Sequence, residues 1–140
     1  MATLPISALR SNSSFYDINP FYNADSSASL TVTGAQAIKS AISFLITSLI
    51  GCRSRTFNTK WGSDLLRFIN EPMDEMTALI IRSSILNAID KWEPRVAVNA
   101  SDVIVKPYPN INGYKVRIIF KVVGTDATES MTMLLQPNGY

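Results

Sequence analysis

The stretch DEMTALIIRSSILNAIDKWEPR, residues 74–95, decides the fold. Apolar side chains recur through it at intervals of three and four residues, the spacing of one face of an α-helix: Ala78, Ile81, Ile85, Ala88 and Trp92. Asp74 precedes this stripe, and Pro94 ends it because the residue before a proline is disfavoured in the helical region. The stretch therefore predicts a long helix at residues 75–92.

After Pro94 the apolar period changes to the alternation of β-strands. Three successive runs alternate, with inward positions at Val103 and Val105, then Val116, Ile118, Phe120 and Val122, then Met131, Met133 and Leu135. Asn112-Gly113 and Gly124-Thr125-Asp126 are turn signals, while Ser101-Asp102 disturbs the alternation and indicates a bulge or a late strand start. We expect a three-stranded antiparallel meander whose apolar face is covered by helices, an α+β fold.

Upstream of residue 74 the sequence predicts two further helices. Ile38, Ile42, Leu45 and Leu49 have helical spacing, with a start near Thr33 and a stop at Gly51. A loop then leads to Trp61-Gly62-Ser63-Asp64-Leu65. Ser63 or Asp64 can cap a short helix at residues 65–70, which Pro72 interrupts. The two main helices and the short one supply the cover that the sheet needs.

Residues 1–33 differ from the rest because they are rich in serine and carry few charges. Their aromatic side chains argue against a plain flexible linker: Phe15, Tyr16, Phe21 and Tyr22. We interpret the segment as an extended N-terminal arm that packs either on its own domain or on a neighbouring subunit. The predicted organisation is an arm at 1–33 and a single α+β domain at 34–140.

Composition excludes several classes of enzyme. The 140 residues are 46% apolar, which suffices for a core without disulfide or structural metal. With no histidine and only Cys52, the chain cannot build a histidine-containing zinc site, a Ser-His-Asp triad or an internal disulfide. We expect no metal and no cofactor, and a reducing compartment is the simplest setting.

Membrane and nucleic-acid partners are not expected either. The most apolar window, residues 36–50, is shorter than the roughly 20 residues that cross a bilayer. We expect no secretory signal in residues 1–12, because they lack an apolar h-region. The chain has 13 basic and 11 acidic residues. Lys106, Lys115, Arg117 and Lys121 fall on or near the outward face of the sheet, where we interpret them as a solvated strand face.

Two features of the long helix point to a protein partner. Glu93-Pro94-Arg95 holds opposite charges on both sides of a proline, so an ion pair within the motif or with a partner would lose little entropy. The alternative is a helix stop with two solvated charges. Leu79 and Leu86 lie off the core stripe, and we favour contact with a partner over burial within the domain.

The carboxylates and the sheet edges suggest different roles. Glu71, Asp74, Glu75 and Glu93 are the candidates for acid/base catalysis, but their spacing fixes no distance between any pair, so we assign no catalytic residue. A three-stranded meander leaves two open edges that can accept a strand from another chain. Thr132 and Leu134 in the last strand are the expected contacts, although the sequence does not show which edge is used.

Four motifs in order resemble a known family. Tyr16-Asp17-Ile18-Asn19-Pro20, Trp61-Gly62-Ser63-Asp64-Leu65, Asn70-Glu71-Pro72 and Trp92-Glu93-Pro94-Arg95 resemble the small baseplate wedge protein, or sheath initiator, of contractile-tailed phages. Its relatives occur in type VI secretion and other contractile injection systems. The resemblance covers residues 15–136.

The resemblance implies a structural role in a virion tail baseplate that is assembled in the host cytoplasm. The family docks on a helical bundle of larger wedge proteins near the tail tube and hub, and offers its sheet to arms of tail sheath subunits. Glu93, Pro94 and Arg95 carry over as contacts with the wedge bundle. The family has also been labelled lysozyme-like, so a peptidoglycan-degrading tail enzyme is the alternative, and a binding adaptor outside tails is a third hypothesis.

Overall fold

The structure, a computed structural model, describes residues 15–19, 31–52, 59–125 and 127–137. Within these residues the chain forms β1 (Tyr16–Ile18), β2 (Thr31–Thr33), α1 (Gly34–Thr47), α2 (Leu65–Phe68), α3 (Glu75–Trp92), β3 (Val96–Ala97), β4 (Val103–Tyr108), β5 (Gly113–Val122) and β6 (Thr128–Leu135). Short 3₁₀ turns lie at Ala100–Asp102 and Pro109–Ile111. The predicted α+β class is confirmed.

The chain divides into two compact units, residues 1–41 and 42–140, and the division falls inside α1. In the first unit β1 pairs antiparallel with β2, with Tyr16 opposite Thr33. The N–H of Gly34 donates to the carbonyl of Phe15 at 2.8 Å. The segment expected to be an extended arm thus contains a two-stranded ribbon. Phe21 and Tyr22 lie outside the described residues.

The first helix ends earlier than the sequence predicted. The hydroxyls of Thr47 and Ser48 donate to the carbonyls of Ser43 and Phe44, at 2.9 and 2.7 Å. These bonds offer the last turn an alternative to a further helical turn. The chain then leaves α1, and Leu49 forms an isolated bridge with Ser63. The expected stop at Gly51 was therefore wrong by about one turn.

The bounds predicted for the long helix are confirmed by α3. The carboxylate of Asp74 accepts a hydrogen bond from the N–H of Thr77 at 2.6 Å, which caps the helix N-terminus. α3 packs on β4. The core stripe lies inside as predicted, with Ile81 and Ile85 fully buried, and Ile89 joins it. Trp92, at the end of the stripe, is only half-buried.

The second unit contains one antiparallel sheet with β5 at its centre. β6 pairs with one side of β5, and β3 and β4 pair with the other side. The predicted disturbance at Ser101-Asp102 is the 3₁₀ turn between β3 and β4. β3 is therefore a short additional strand, and the sheet has an interrupted edge at β3 and β4 and a continuous edge at β6. The meander that the alternation predicted is formed by β4, β5 and β6.

The two faces of the sheet differ as the alternation predicted. The core face buries Val103, Tyr114, Val116, Ile118, Phe120, Val122 and Leu135. Met131 and Met133 occupy the same face on β6, opposite Ile118 and Val116, and are half-buried. The opposite face is the outer face. It carries exposed residues that include Lys115, Arg117 and Thr132.

Candidate interaction surfaces

Within the Glu93-Pro94-Arg95 corner, the side chains of Glu93 and Arg95 form an ion pair with each other. The guanidinium of Arg95 donates from Nε to Oε1 of Glu93 at 2.6 Å and from Nη2 to Oε2 at 2.7 Å. This bidentate arrangement matches the planar fork of arginine to a carboxylate. The side chain of Glu93 is only 7% exposed, whereas that of Arg95 is 31% exposed. Of the three arrangements left open by the sequence, the ion pair within the motif is formed.

Main-chain bonds fix the same corner to α3 and to the sheet. The N–H of Glu93 donates to the carbonyl of Ile89 at 2.8 Å, which continues the helical pattern to the last residue before the proline. The N–H of Val123 donates to the carbonyl of Arg95 at 2.8 Å. Pro94 stands exposed between these anchors. The corner is therefore a rigid projection whose proline and guanidinium are accessible to solvent.

The exposed side of α3 is apolar at its N-terminal end. Met76, Leu79 and Ile80 are 68%, 52% and 45% exposed. At about 100° per residue these three side chains share one face. Leu86, predicted to accompany Leu79, is half-buried. The exposed apolar surplus of α3 is thus a patch of Met76, Leu79 and Ile80. The sequence reasoning missed Met76, although its four-residue spacing from Ile80 was visible.

A groove lies beside this patch, between α3 and the edge strand β4. Its volume is about 550 Å³, and its walls include Leu79, Arg82, Ile104 and Lys106. Arg82 also donates to the carbonyl of Ala100, so the 3₁₀ turn between β3 and β4 is tied to the helix. The groove extends the accessible apolar surface from the helix to the sheet.

Hydrogen-bond direction shows which main-chain groups of β6 face outward. In an antiparallel sheet the N–H and C=O of one residue point to the same neighbouring strand, and successive residues alternate. Val122 donates to Ala127 on the β6 side, and Val123 donates to Arg95 on the β3 side. The main-chain groups of the even-numbered residues of β5 therefore bond β6. Their partners in the register are Glu129, Met131, Met133 and Leu135.

It follows that Ser130, Thr132 and Leu134 direct their N–H and C=O groups away from β5. Their side chains lie on the outer face, where Leu134 is 51% exposed. No described strand pairs with that side of β6. The two residues singled out from the sequence, Thr132 and Leu134, thus belong to an open edge.

The opposite edge is less suited to accept a strand. By the same alternation, the main-chain groups of Val103, Val105 and Pro107 on β4 point away from β5. The main-chain groups of Ile104 and Lys106 are the ones that bond β5. Pro107 has no N–H to donate. The 3₁₀ turn at Ala100–Asp102 also interrupts this edge. β6 is the continuous edge of the sheet.

Three close approaches give structural roles to residues of the motifs. A Cβ on Gly62, which has φ +122°, would lie 2.6 Å from the carbonyl oxygen of Ser48. The Oγ of Ser63 accepts from the N–H of Leu65 at 3.1 Å, whereas Asp64, which occupies the N-cap position of α2, makes no side-chain capping bond. The hydroxyl of the buried Tyr114 donates to the carbonyl of Pro72 at 3.3 Å. These positions maintain the fold around the candidate surfaces.

Two of the candidate carboxylates have structural partners. Asp74 caps α3, and its pKa is lowered mainly by the backbone hydrogen bond from Thr77. Glu93 is held by Arg95, while Glu71 and Glu75 are exposed. In the described ranges no three acidic or cysteine side chains come together as metal ligands. The helices of the described segments are too short or too polar to cross a membrane.

The described residues thus form a small α+β fold with an open strand edge at β6 and an exposed apolar face on α3. Residues 32–127 match the family described as "Baseplate wedge protein gp25". The baseplate wedge protein gp25 of Enterobacteria phage T4 is 34% identical over 97 residues, which cover 66% of this chain and 70% of that protein. The chain belongs to this baseplate wedge family of contractile tails, so the resemblance drawn from the motifs is confirmed.

Two solved structures are also similar. A putative tail lysozyme from Geobacter sulfurreducens has a TM-score of 0.64 at 16% identity, over 74% of this chain and 91% of that chain. A chain of the postcontracted pyocin R2 baseplate has a TM-score of 0.48 at 21% identity, over 79% and 95% of the two chains. The first likeness supports the α+β fold.

Proposed function

We propose that the chain is a non-enzymatic baseplate component that docks on the wedge helical bundle and initiates sheath assembly. In this role the β6 edge receives an extended arm of a sheath subunit, and α3 with its C-terminal corner contacts the larger wedge proteins. Tube or hub proteins are further neighbours, and assembly takes place in the host cytoplasm. Family membership supports the baseplate setting, and the surfaces described above support the two contacts.

The observation that carries the sheath contact is the direction of the main-chain groups on β6. Ser130, Thr132 and Leu134 present main-chain donors and acceptors that no described strand pairs with, at every second residue of a strand that has no proline. An added strand would satisfy these groups and extend the sheet. The β4 edge offers fewer such groups because of Pro107. We therefore assign the recruiting edge to β6.

A pair of proline substitutions tests this assignment. Thr132→Pro removes an N–H that faces the open edge, so it should block strand addition and leave the ladder with β5 intact. Met133→Pro, one residue further on, removes an N–H that bonds β5 and should destabilise the fold. The readouts are the melting temperature of each variant and the assembly of sheath subunits on wedge complexes.

The expected result is a folded Thr132→Pro protein that fails to start sheath assembly. Leu134→Lys, which keeps the backbone N–H and changes only the outer-face side chain, should weaken docking less. If Thr132→Pro assembles sheath normally, β6 is not the recruiting edge. If Thr132→Pro unfolds as readily as Met133→Pro, the assignment of outward-facing groups is wrong.

The wedge contact is proposed for the exposed side of α3. Leu79 lies near one end of this helix and Glu93 at the other, about 21 Å apart at ~1.5 Å per residue. A helical bundle running along α3 would span the apolar patch and the Glu93-Pro94-Arg95 corner. Leu86, which lies between them and is half-buried, would contribute packing from its accessible side.

A charge placed in the patch tests the wedge contact. Leu79→Glu should abolish binding to the purified wedge bundle with little loss of stability, since the side chain is already half-exposed. Ile18→Glu is the matched control, because Ile18 is 71% exposed and lies on β1, which belongs to neither proposed contact. If the two variants bind the wedge bundle equally well, the apolar patch of α3 is not part of the wedge interface.

A further inference from the structure

The outer face of the sheet concentrates positive charge. Lys115, Arg117 and Lys121 alternate along β5 over about 20 Å, at ~3.4 Å per residue, and Lys106 lies on the neighbouring strand β4. All four side chains are exposed. The whole chain has 13 basic against 11 acidic residues, so an even mixture would place acids here as well.

The register shows that this charge is not compensated on the described face. Lys106 stands directly opposite Lys115, an arrangement of like charges that destabilises a sheet. Arg117 lies between Ile104 and Thr132, and Lys121 lies between Ala97 and Thr128. Glu129 is opposite Phe120 and belongs to the core face. No described residue of the outer face is acidic.

The remaining parts of the chain bring few carboxylates that could cover these cations. In the sequence outside the described ranges, Asp25 and Asp126 are the only acidic side chains. Arg10, Arg53 and Arg55 lie in the same parts and add positive charge. A partner is therefore the better source of negative charge than the chain itself.

Apolar groups between the cations indicate the chemistry of that partner. Ile104 is 38% exposed, and Leu134, opposite Lys115 on β6, is 51% exposed. A phosphate backbone gains little from such neighbours, and the one aromatic side chain described on this face, Tyr108, lies beyond Lys106 at the end of β4 and not between the cations, so bases would find no series of rings on which to stack. We propose that the outer face docks a protein segment that carries carboxylates beside apolar side chains. This surface adjoins the two assigned above, since Leu134 also belongs to the β6 edge and Ile104 and Lys106 also line the groove beside α3, but its cations on β5 belong to neither.

A binding titration with the full chain tests the proposal. The probe is a labelled synthetic peptide that alternates Glu with Val, and its control is the same peptide with Lys in place of Glu. We expect binding of the acidic peptide alone, weakening as salt is raised. The Lys115→Gln, Arg117→Gln double variant should lose about tenfold in affinity, as expected for two exposed ion pairs.

A matched double variant distinguishes the effect of the outer face from the effect of the net charge of the protein. Arg67→Gln with Lys91→Gln removes the same two charges elsewhere and should bind the acidic peptide within about twofold of the unaltered protein. Equal loss in both double variants would show a general charge effect and overturn the proposal. So would failure to bind the acidic peptide at low salt, or tighter binding of duplex DNA through the same residues.

A second measurement concerns the free protein. Because Lys106 and Lys115 repel each other across the strands, Lys115→Gln should raise the melting temperature while it lowers peptide affinity. If Lys115→Gln is more stable and binds the peptide more weakly, the charge of Lys115 contributes to binding and not to folding. A lower melting temperature would mean that the chain itself compensates Lys115, contrary to the proposal.

Discussion

Replacing Arg95 with methionine should destabilise the protein more than replacing Glu93 with methionine. Arg95→Met leaves a carboxylate that is only 7% exposed without its bidentate partner. Breaking a fully buried pair from one side costs about 3–5 kcal/mol. Since the side chain of Arg95 is 31% exposed, water can reach the vacated site, and we expect about 2 kcal/mol. At about 3 °C for each kcal/mol, the melting temperature should fall by roughly 6 °C.

Glu93→Met has a smaller expected cost because the remaining guanidinium can turn to solvent. We expect about 1 kcal/mol for this variant, and about the same or less for the double variant, in which apolar side chains replace both ions. The four proteins form a double-mutant cycle measured by denaturant unfolding. A loss for Glu93→Met that equals or exceeds the loss for Arg95→Met would refute the reasoning from burial.

The double variant also separates folding from docking at this corner. If the Glu93→Met, Arg95→Met protein is stable but does not bind the wedge bundle, the charges themselves contact the partner. If it is stable and binds normally, the ion pair serves the fold alone. Arg95→Ala by itself would not distinguish these cases, since it removes both stability and charge.

Three further predictions concern the fold and the absence of catalysis. Gly62→Ala should lower the melting temperature much more than Gly124→Ala, because both have positive φ but only the first Cβ would meet the Ser48 carbonyl. The stability that Asp74 contributes, compared with Asp74→Asn, should be complete above its ordinary pKa of 3.8 and disappear as pH falls through its lowered folded pKa; a constant difference in acid would contradict this. The purified protein should not clear peptidoglycan, and clearing that disappears in Glu71→Gln would support the lysozyme-like alternative.

The sequence predicted the long helix better than the first one. α3 has a capping aspartate before it and a proline after it, so local signals define both ends. α1 was extended too far because Leu49 kept the helical spacing while Thr47 and Ser48 bonded back to the preceding turn. That competition depends on rotamers and on the bridge to Ser63, which no local pattern reports.

The strand faces followed from alternation, but the choice of edge did not. Alternation assigns side chains to faces, whereas edge availability depends on the register and on hydrogen-bond direction across β5. Ser101-Asp102 signalled the interruption but not that it would divide one edge into two strands. The sequence likewise did not decide whether Glu93 and Arg95 pair with each other, and the hydrogen bond from the guanidinium to the carboxylate shows that they do.

The open edge of β6 has a consequence for how the protein and its partners can diverge. Main-chain donors and acceptors are the same whatever the side chains are, so a contact made through Ser130, Thr132 and Leu134 reads the spacing of a partner strand more than its composition. Mutations in either chain would then be tolerated as long as neither introduces proline at a bonded position. Such an edge could still bind a partner strand after the side chains of both proteins have diverged. Specificity for one partner would then depend on side chains on the two faces of the sheet.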